Sequence, residues 1–203
     1  MRIAVFGASG QLGQEVVKQA LESGHEVIAM VRDANKLVTI KDENLQVEKV
    51  NIFDETTLSG PLSDCDVVIS CLGVHPSYRS NTTIYSESIK PIVEAMKHVD
   101  VKKLIVASSW YTISDNRQPF LVRFIVRPIF MGRLLDDMAR MEHILTETYD
   151  LDYTVVRLPN LTNKPMVGKF RDNIEAGQLH PVRPKRNAES QCSKIHALSN
   201  ELR

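Results

Sequence analysis

The sequence predicts an α/β fold in which one doubly wound parallel sheet carries helices on both faces. Two observations support this prediction. Short apolar segments alternate along the chain with segments of helical periodicity, and the first apolar segment leads directly into a glycine-rich turn and a helix. Strands that alternate with helices pair in parallel through right-handed crossovers. We therefore expect one sheet with the strand order 3-2-1-4-5-6.

The expected strands are recognised as short apolar runs. The first two are almost continuously apolar, which is typical of parallel strands that are covered on both faces. The third run alternates partly with polar residues. In chain order the runs occupy residues 3–6, 27–31, 45–50, 67–72, 103–109 and 153–157.

Helices are predicted where apolar residues recur every three or four positions. This periodicity covers residues 12–21, 86–99 and 134–145. Pro91 falls within the second segment, so we expect it to disturb that helix or to lie in its first turn. Met138 and Met141, in the third segment, are interpreted as core packing.

Length and charge limit what the chain can be. It has 203 residues, 43% of them hydrophobic, and a formal net charge of zero at pH 7. This length suits one full α/β domain and no second independent one. We expect residues 1–180 to form that domain and residues 181–203 to be a polar, disordered tail. The zero net charge argues against a nucleic-acid partner.

The remaining composition favours a monomeric cytoplasmic protein without a metal. The three cysteines show no paired spacing, and Cys71 lies in an apolar strand pattern, which favours reduced thiols. No apolar stretch approaches the ~20 residues of a membrane-spanning helix, and the first strand begins too early for a leader segment. The six histidines form no close pair of the zinc-site type.

The glycine-rich turn is the strongest functional signal. Gly7, Gly10 and Gly13 follow the first strand with the spacing G-x-x-G-x-x-G. We interpret Gly7 as allowing the tight turn, Gly10 as letting main chain approach a diphosphate, and Gly13 as permitting close packing of helix on strand. The helix N-terminus then faces the anion. This predicts a Rossmann-like dinucleotide site.

The residue after the second strand selects the nucleotide. An acidic residue there suits the ribose of NAD, whereas an arginine suits the 2′-phosphate of NADP. The first residue past the strand is Arg32, with Lys36 as a second cation four residues later. We therefore favour NADP as the cofactor, while Asp33 keeps NAD open and Arg32 can also be an ordinary solvated charge.

Other strand ends complete the predicted site. Asn51 and Ile52 follow the third strand and are expected to flank the adenine. Leu72 and Gly73 follow the fourth and would let the nicotinamide half pass without obstruction. We expect the loops after all six strands to open at one edge of the sheet.

Ser108 and Ser109 end the fifth strand, either as hydroxyls that satisfy local main chain or as groups aimed at the nicotinamide. No Tyr-x-x-x-Lys pair is present, since Tyr111 is followed at this spacing by Asp115 and Tyr85 by Ile89. Such a pair lowers the pKa of a phenol for carbonyl reduction. The chain therefore fits a reductase whose acceptor takes its proton from solvent.

On these motifs the chain resembles the atypical short-chain dehydrogenase/reductase family, in particular its flavin reductase/biliverdin reductase B-like group and its NmrA-like relatives. The matching segments are residues 5–11, 31–33, 72–73, 92–96, 106–109, 136–137 and 153–159. The resemblance implies NADPH-dependent hydride transfer to a planar conjugated acceptor such as a flavin, a biliverdin-like or a quinone-like compound. The alternative is an NADP-sensing, non-catalytic protein of the NmrA type that binds a protein partner.

The resemblance also implies site residues. Ser109 is expected beside the nicotinamide as the catalytic candidate. Together with the turn and strand-end residues, the expected cofactor contacts are Gly7, Ala8, Ser9, Gly10, Gln11, Leu12, Gly13, Arg32, Asn51, Ile52, Leu72, Gly73, Asn160 and Leu161.

Two segments depart from the family pattern. Asn160 stands where the flavin and biliverdin reductases have a histidine, so that ring's role in placing the substrate does not transfer. Residues 181–203 lack the family's closing strand and helix. Our hypothesis is that this altered tail leaves part of the core uncovered.

Overall fold

A single parallel sheet organises the described part of the chain. The computed structural model describes residues 1–37, 40–74, 83–112 and 132–158. Within these ranges the sheet has six strands in the order β3-β2-β1-β4-β5-β6, and all neighbouring strands are parallel. The strands are β1 (Arg2–Phe6), β2 (Glu26–Val31), β3 (Leu45–Lys49), β4 (Val67–Ser70), β5 (Lys103–Ser109) and β6 (Asp152–Leu158). The predicted fold class and strand order are confirmed.

Helices connect these strands. They are α1 (Gln11–Glu22), α2 (Ser59–Leu62), α3 (Ile84–His98) and α4 (Gly132–Thr146), with short 3-10 turns at Ala34–Leu37, Glu55–Thr57 and Trp110–Thr112. Among the described residues, no helix is both long enough and apolar enough to cross a membrane. The predicted tail at residues 181–203 lies outside the described ranges, so its state stays a prediction.

The continuous apolar runs reflect burial on both faces of the sheet. In β1, Ile3 and Val5 pack with Val16 and Val17 of α1 on one face. Alternate residues, such as Phe6, point to the opposite core, which includes buried side chains of α2, α3 and α4. Period-two alternation thus supplies two hydrophobic layers from one strand.

Helix α3 departs from the sequence expectation at Pro91. Pro91 lies in the middle of α3, not in its first turn, and the helix runs through it to His98. A proline removes one main-chain donor from the helix. Its neighbours Ile89, Ile92 and Val93 are buried in the core, so tertiary packing outweighs the local preference.

The start of α3 is held by the neighbouring helix. Thr83, the residue before α3, makes no side-chain cap. Instead Asp137 of α4, which is 0% exposed, accepts a hydrogen bond from the Tyr85 main-chain N–H at 2.9 Å and another from the Ser86 hydroxyl. A carboxylate at this position satisfies donors that an α-helix leaves unpaired and favours its positive end. Met141 and Met138 of α4 pack in the same core, as the sequence predicted.

Candidate functional site

The glycine turn is shaped by direct contacts of main chain on main chain. Gly7 has a φ of 73°, in the left-handed region, and a Cβ added there would lie 2.6 Å from the Cys71 carbonyl oxygen. A Cβ on Gly13 would lie 2.2 Å from the Gly7 carbonyl oxygen. Neither position can take a side chain without moving the chain around it. The turn therefore holds α1 against the ends of β1 and β4.

The N-terminus of α1 has no acidic or capping side chain. Its N-cap residue, Gly10, makes no side-chain cap, and the first turn contains no acidic residue. The Gln14 side-chain amide instead donates to the Ser9 carbonyl oxygen at 3.0 Å, which fixes the turn from within the helix. The positive end of this helix is thus suited to an anion such as a diphosphate. Sequence reasoning missed Gln14, which has no motif of its own.

The loop after β2 carries an exposed arginine, Arg32, followed by a hydrogen-bonded aspartate, Asp33. The Asp33 carboxylate accepts hydrogen bonds from the main-chain N–H and the side-chain amide of Asn35, both at 3.1 Å. Arg32 is exposed, and its side chain makes no hydrogen bond or ion pair with the described residues. Lys36 is exposed in the 3-10 turn that follows. This loop therefore exposes two cations, while the Asp33 carboxylate bonds to Asn35 through one of its two oxygens.

The loop after β3 buries one of the two side chains expected at the adenine. The side chain of Ile52 is 5% exposed and belongs to the core beside Leu58 and Leu62, so a contact of Ile52 with the adenine would be made by its main chain and stays a prediction. Alternation of the chain after β3 turns this side chain inward. Phe53 is 52% exposed, and Asn51 accepts a hydrogen bond from its main-chain N–H at 3.2 Å. The ring of Phe53 is therefore an exposed apolar group of this loop. In the sequence, the only sign of its role is that it lies shortly after β3.

The loop after β4 is held by a buried tyrosine. The phenol of Tyr85 is hydrogen-bonded to the main chain of Val74, and burial raises the pKa of Tyr85 to about 12. A neighbouring lysine would lower the pKa of a phenol, whereas burial raises the pKa of this one. A Cβ on Gly73 would meet nothing within 4 Å. Tyr85 thus supports this loop, which is open at Gly73.

At the end of β5 the two serines differ. Ser108 is buried, and its hydroxyl donates to Glu142 Oε1 at 2.5 Å. Ser109 is half-buried and its Oγ accepts a hydrogen bond from the Tyr111 main-chain N–H at 3.3 Å. The Ser108 hydroxyl is therefore used inside the protein, although its acceptor is a carboxylate distant in sequence and not the local main chain. Ser109 stays available at the sheet edge.

A buried ion pair lies behind these serines. Arg157 of β6 and Glu142 of α4 are 3% and 7% exposed. Arg157 Nη2 lies 2.5 Å from Glu142 Oε2, and Arg157 Nε lies 3.2 Å from both carboxylate oxygens. Sequence reasoning missed this pair. An arginine late in an apolar strand was its only signal, because a buried arginine requires an acidic partner.

The strand register gathers most predicted residues at one edge. Phe6 pairs with Met30 of β2 and with Ser70 of β4, and Ser70 pairs with Val106 of β5. The loops that follow β1, β2 and β4 carry Gly7, Arg32 and Leu72, and Ser109 is the last residue of β5. Parallel strands end at the same edge of the sheet. Asn160 and Leu161 lie outside the described residues, so their predicted contacts stay predictions.

Comparisons with known proteins bear on the family and the fold of this chain. A family profile described as NAD(P)H-binding matches residues 7–180. The photosystem II assembly factor Ycf39 of Synechocystis sp. is 27% identical over 173 residues, which are 84% of this chain and 48% of that protein. The chain spans about half the length of the curated relatives it matches.

Solved structures share the fold at low identity. A short-chain dehydrogenase/reductase of Veillonella parvula in complex with NADP has a TM-score of 0.77 at 17% identity, covering 99% of this chain and 86% of that one. ChuY, an anaerobilin reductase of Escherichia coli O157:H7, has a TM-score of 0.74 at 16% identity, covering 100% and 90%. The profile begins at Gly7, the first residue of the glycine turn, and spans most of the sequence. The chain therefore belongs to the NAD(P)H-binding family.

Proposed function

We propose that this protein is an NADPH-dependent oxidoreductase that transfers a hydride to a planar, conjugated acceptor. The observation that carries the proposal is the exposed Arg32 guanidinium at the end of β2 next to the glycine turn, where Asn35 donates two hydrogen bonds to Oδ1 of the neighbouring Asp33. A guanidinium binds a phosphate through two parallel hydrogen bonds, whereas an acid at the ribose would repel it. This favours NADPH over NADH.

The residues around the turn fit a dinucleotide. Residues 7–13 offer main chain and the positive end of α1 to a diphosphate, because Gly7 and Gly13 leave no room for side chains. Arg32 and Lys36 would hold the 2′-phosphate, and Asn51 and Phe53 would lie at the adenine. Leu72 and Gly73 would lie along the nicotinamide half, with Asn160 and Leu161 as further contacts.

Ser109 would act as a hydrogen-bond donor to the bound groups. Its oxygen already accepts from the Tyr111 main-chain N–H, which leaves its own hydrogen for a ligand. When bound, reduced nicotinamide supplies a hydride. The protein's contribution would then be to orient both partners and to limit water at the sheet edge.

The proposed acceptor class is supported by the state of Tyr85, a candidate acid among the described residues near the site. Tyr85 is buried with a raised pKa and is bonded to Val74, so it is not poised to protonate a substrate. An acceptor that takes its proton from solvent requires no such acid. Flavins, biliverdin-like tetrapyrroles and quinones meet this condition. The names of both solved structures described above include reductase activity, in one of them for anaerobilin.

The test is a panel assay with purified protein. NADPH or NADH is mixed with FMN, biliverdin or menadione, and the absorbance of the reduced nicotinamide is followed. We expect oxidation of NADPH with at least one acceptor and a slower reaction with NADH. Tight binding of NADPH without oxidation across the panel would contradict the proposed activity and would favour an NADP sensor.

A further inference from the structure

One carboxylate joins three elements behind the candidate catalytic serine. Glu142 Oε1 accepts from the hydroxyls of Ser108 at 2.5 Å and Thr112 at 3.1 Å, while Arg157 contacts both carboxylate oxygens. All four side chains are buried. Burial of a charged pair is costly unless further hydrogen bonds satisfy its polar atoms. Here those hydrogen bonds come from residues on both sides of Ser109.

Thr112 links this carboxylate to the main chain of Ser109. Its hydroxyl oxygen lies 2.8 Å from the Ser109 carbonyl oxygen and 3.1 Å from Glu142 Oε1. A hydroxyl has one hydrogen, so the two acceptors share it. The Tyr111 main-chain N–H meanwhile donates to Ser109 Oγ. The turn over residues 109–112 is therefore fixed at the Ser109 carbonyl and at its side chain.

We infer that Glu142, acting through Thr112, is a positioning residue that sets the direction of the Ser109 hydroxyl. This inference rests on the proposed function, in which Ser109 donates to the nicotinamide or the acceptor. Arg157 fixes the carboxylate from β6, and the carboxylate in turn fixes the turn that carries Ser109. Both hydroxyls that satisfy the buried carboxylate belong to residues on either side of Ser109, so the carboxylate is coupled to the turn that carries Ser109. Misplacing a reacting group by a fraction of an ångström lowers the rate without lowering affinity.

The sharpest variant is Thr112→Val, which keeps the shape of the side chain and removes the shared hydroxyl. Substitution of Glu142 itself leaves Arg157 buried without its partner and risks unfolding. Thr112→Ser restores the hydroxyl and is the conservative rescue. Thr148→Val is the matched control, because the Thr148 hydroxyl also donates to a carbonyl oxygen, that of Ile144 at 3.0 Å, at the far end of α4.

The variants are compared by steady-state kinetics with NADPH and the best acceptor of the panel, and by the fluorescence lifetime of bound NADPH. For Thr112→Val we expect kcat to fall about tenfold with KM for NADPH within about twofold of the wild type. Its bound NADPH should have a changed lifetime. Thr112→Ser and Thr148→Val should match the wild type in both measurements.

The two proposals fail in different ways. If none of the acceptors in the panel supports NADPH oxidation by the wild type, the proposed function is wrong. The fluorescence lifetime of bound NADPH alone then tests whether Glu142 positions Ser109. If Thr112→Val keeps the wild-type lifetime, or the wild-type kcat where there is turnover, Glu142 does not position Ser109. Equal losses in Thr112→Val and Thr148→Val, or failure of Thr112→Ser to rescue, would also overturn the inference.

Discussion

The sheet edge that carries the candidate site has two halves, one formed by main-chain groups and the other by side chains. The half at β1 and β2 is main chain: a left-handed glycine, a helix N-terminus without an acidic or capping side chain, and contacts too close for any Cβ. The half at β5 and β6 is side chain: two hydroxyls and an arginine converge on the Glu142 carboxylate. The first can hold an anion whatever the rest of the ligand is. In our proposal the second half sets the direction of the Ser109 hydroxyl, and hydride transfer requires such orientation of the groups around the reacting atoms.

The side-chain half should be the more fragile. Arg157→Met leaves Glu142 buried without its cation, and we expect a loss of about 3–5 kcal/mol in the free energy of unfolding. The double variant Arg157→Met with Glu142→Leu replaces the pair by apolar groups and should recover most of that loss. Urea unfolding measures both. If the double variant is as unstable as Arg157→Met, the loss of stability does not come from leaving the Glu142 carboxylate unpaired.

The main-chain half can be broken by one methyl group. A Cβ on Gly13 would lie 2.2 Å from the Gly7 carbonyl oxygen, so Gly13→Ala should cost about 3 kcal/mol and should abolish NADPH binding. Gly60→Ala is the matched control, since a Cβ there meets nothing within 4 Å. Thermal unfolding and NADPH titration compare the two. Wild-type affinity in Gly13→Ala would show that the close packing of α1 on the turn is not required.

Cofactor choice should depend on one exposed charge of the main-chain half. Arg32→Glu replaces a phosphate-binding cation by a repelling anion, so Kd for NADPH should rise about 100-fold while Kd for NADH changes little. Arg140→Glu, the same change on the exposed face of α4, should leave both constants unaltered. Fluorescence titration with each coenzyme supplies the constants. An equal loss for both coenzymes would contradict the role of Arg32.

The smallest effect concerns pH. Burial raises the pKa of the Cys71 thiol from 9.0 to about 12, and Cys71 lies beside Gly7. Below pH 9.0 the thiol is protonated in the folded and the unfolded chain alike, so it adds no pH dependence. Between pH 9.0 and about 12 the unfolded chain releases the proton and the folded chain keeps it, so stability falls.

This predicts how wild type and Cys71→Ala differ in urea unfolding. The difference in their free energies of unfolding should be constant below about pH 9 and should shift against the wild type above it. A difference that already changes near neutral pH would mean that the thiol is not desolvated in the folded protein.

Main-chain features with a local sequence pattern could be predicted, whereas side-chain contacts between distant residues could not. The apolar runs and helical periodicity predicted the sheet and its order, because burial on both faces leaves a local pattern. The glycine spacing predicted the turn because only glycine tolerates Gly7's φ and Gly13's contacts. Neither inference needs a distant residue.

The remaining features depend on residues far apart in the sequence. Glu142 and Arg157 meet only once α4 has packed on β6, and no spacing rule joins them. Ile52 is expected at the adenine from its place after β3, but the burial of its side chain depends on where β3 ends. Pro91 follows tertiary packing over local preference. Such outcomes are set by assembly of the fold.

The most direct test of the account is calorimetric titration of the folded wild-type protein with NADPH and, separately, with NADH. We predict measurable heat and thermal stabilisation with NADPH, and clearly weaker binding of NADH. A cooperative thermal transition that NADPH does not shift, together with no heat at millimolar coenzyme, would contradict it.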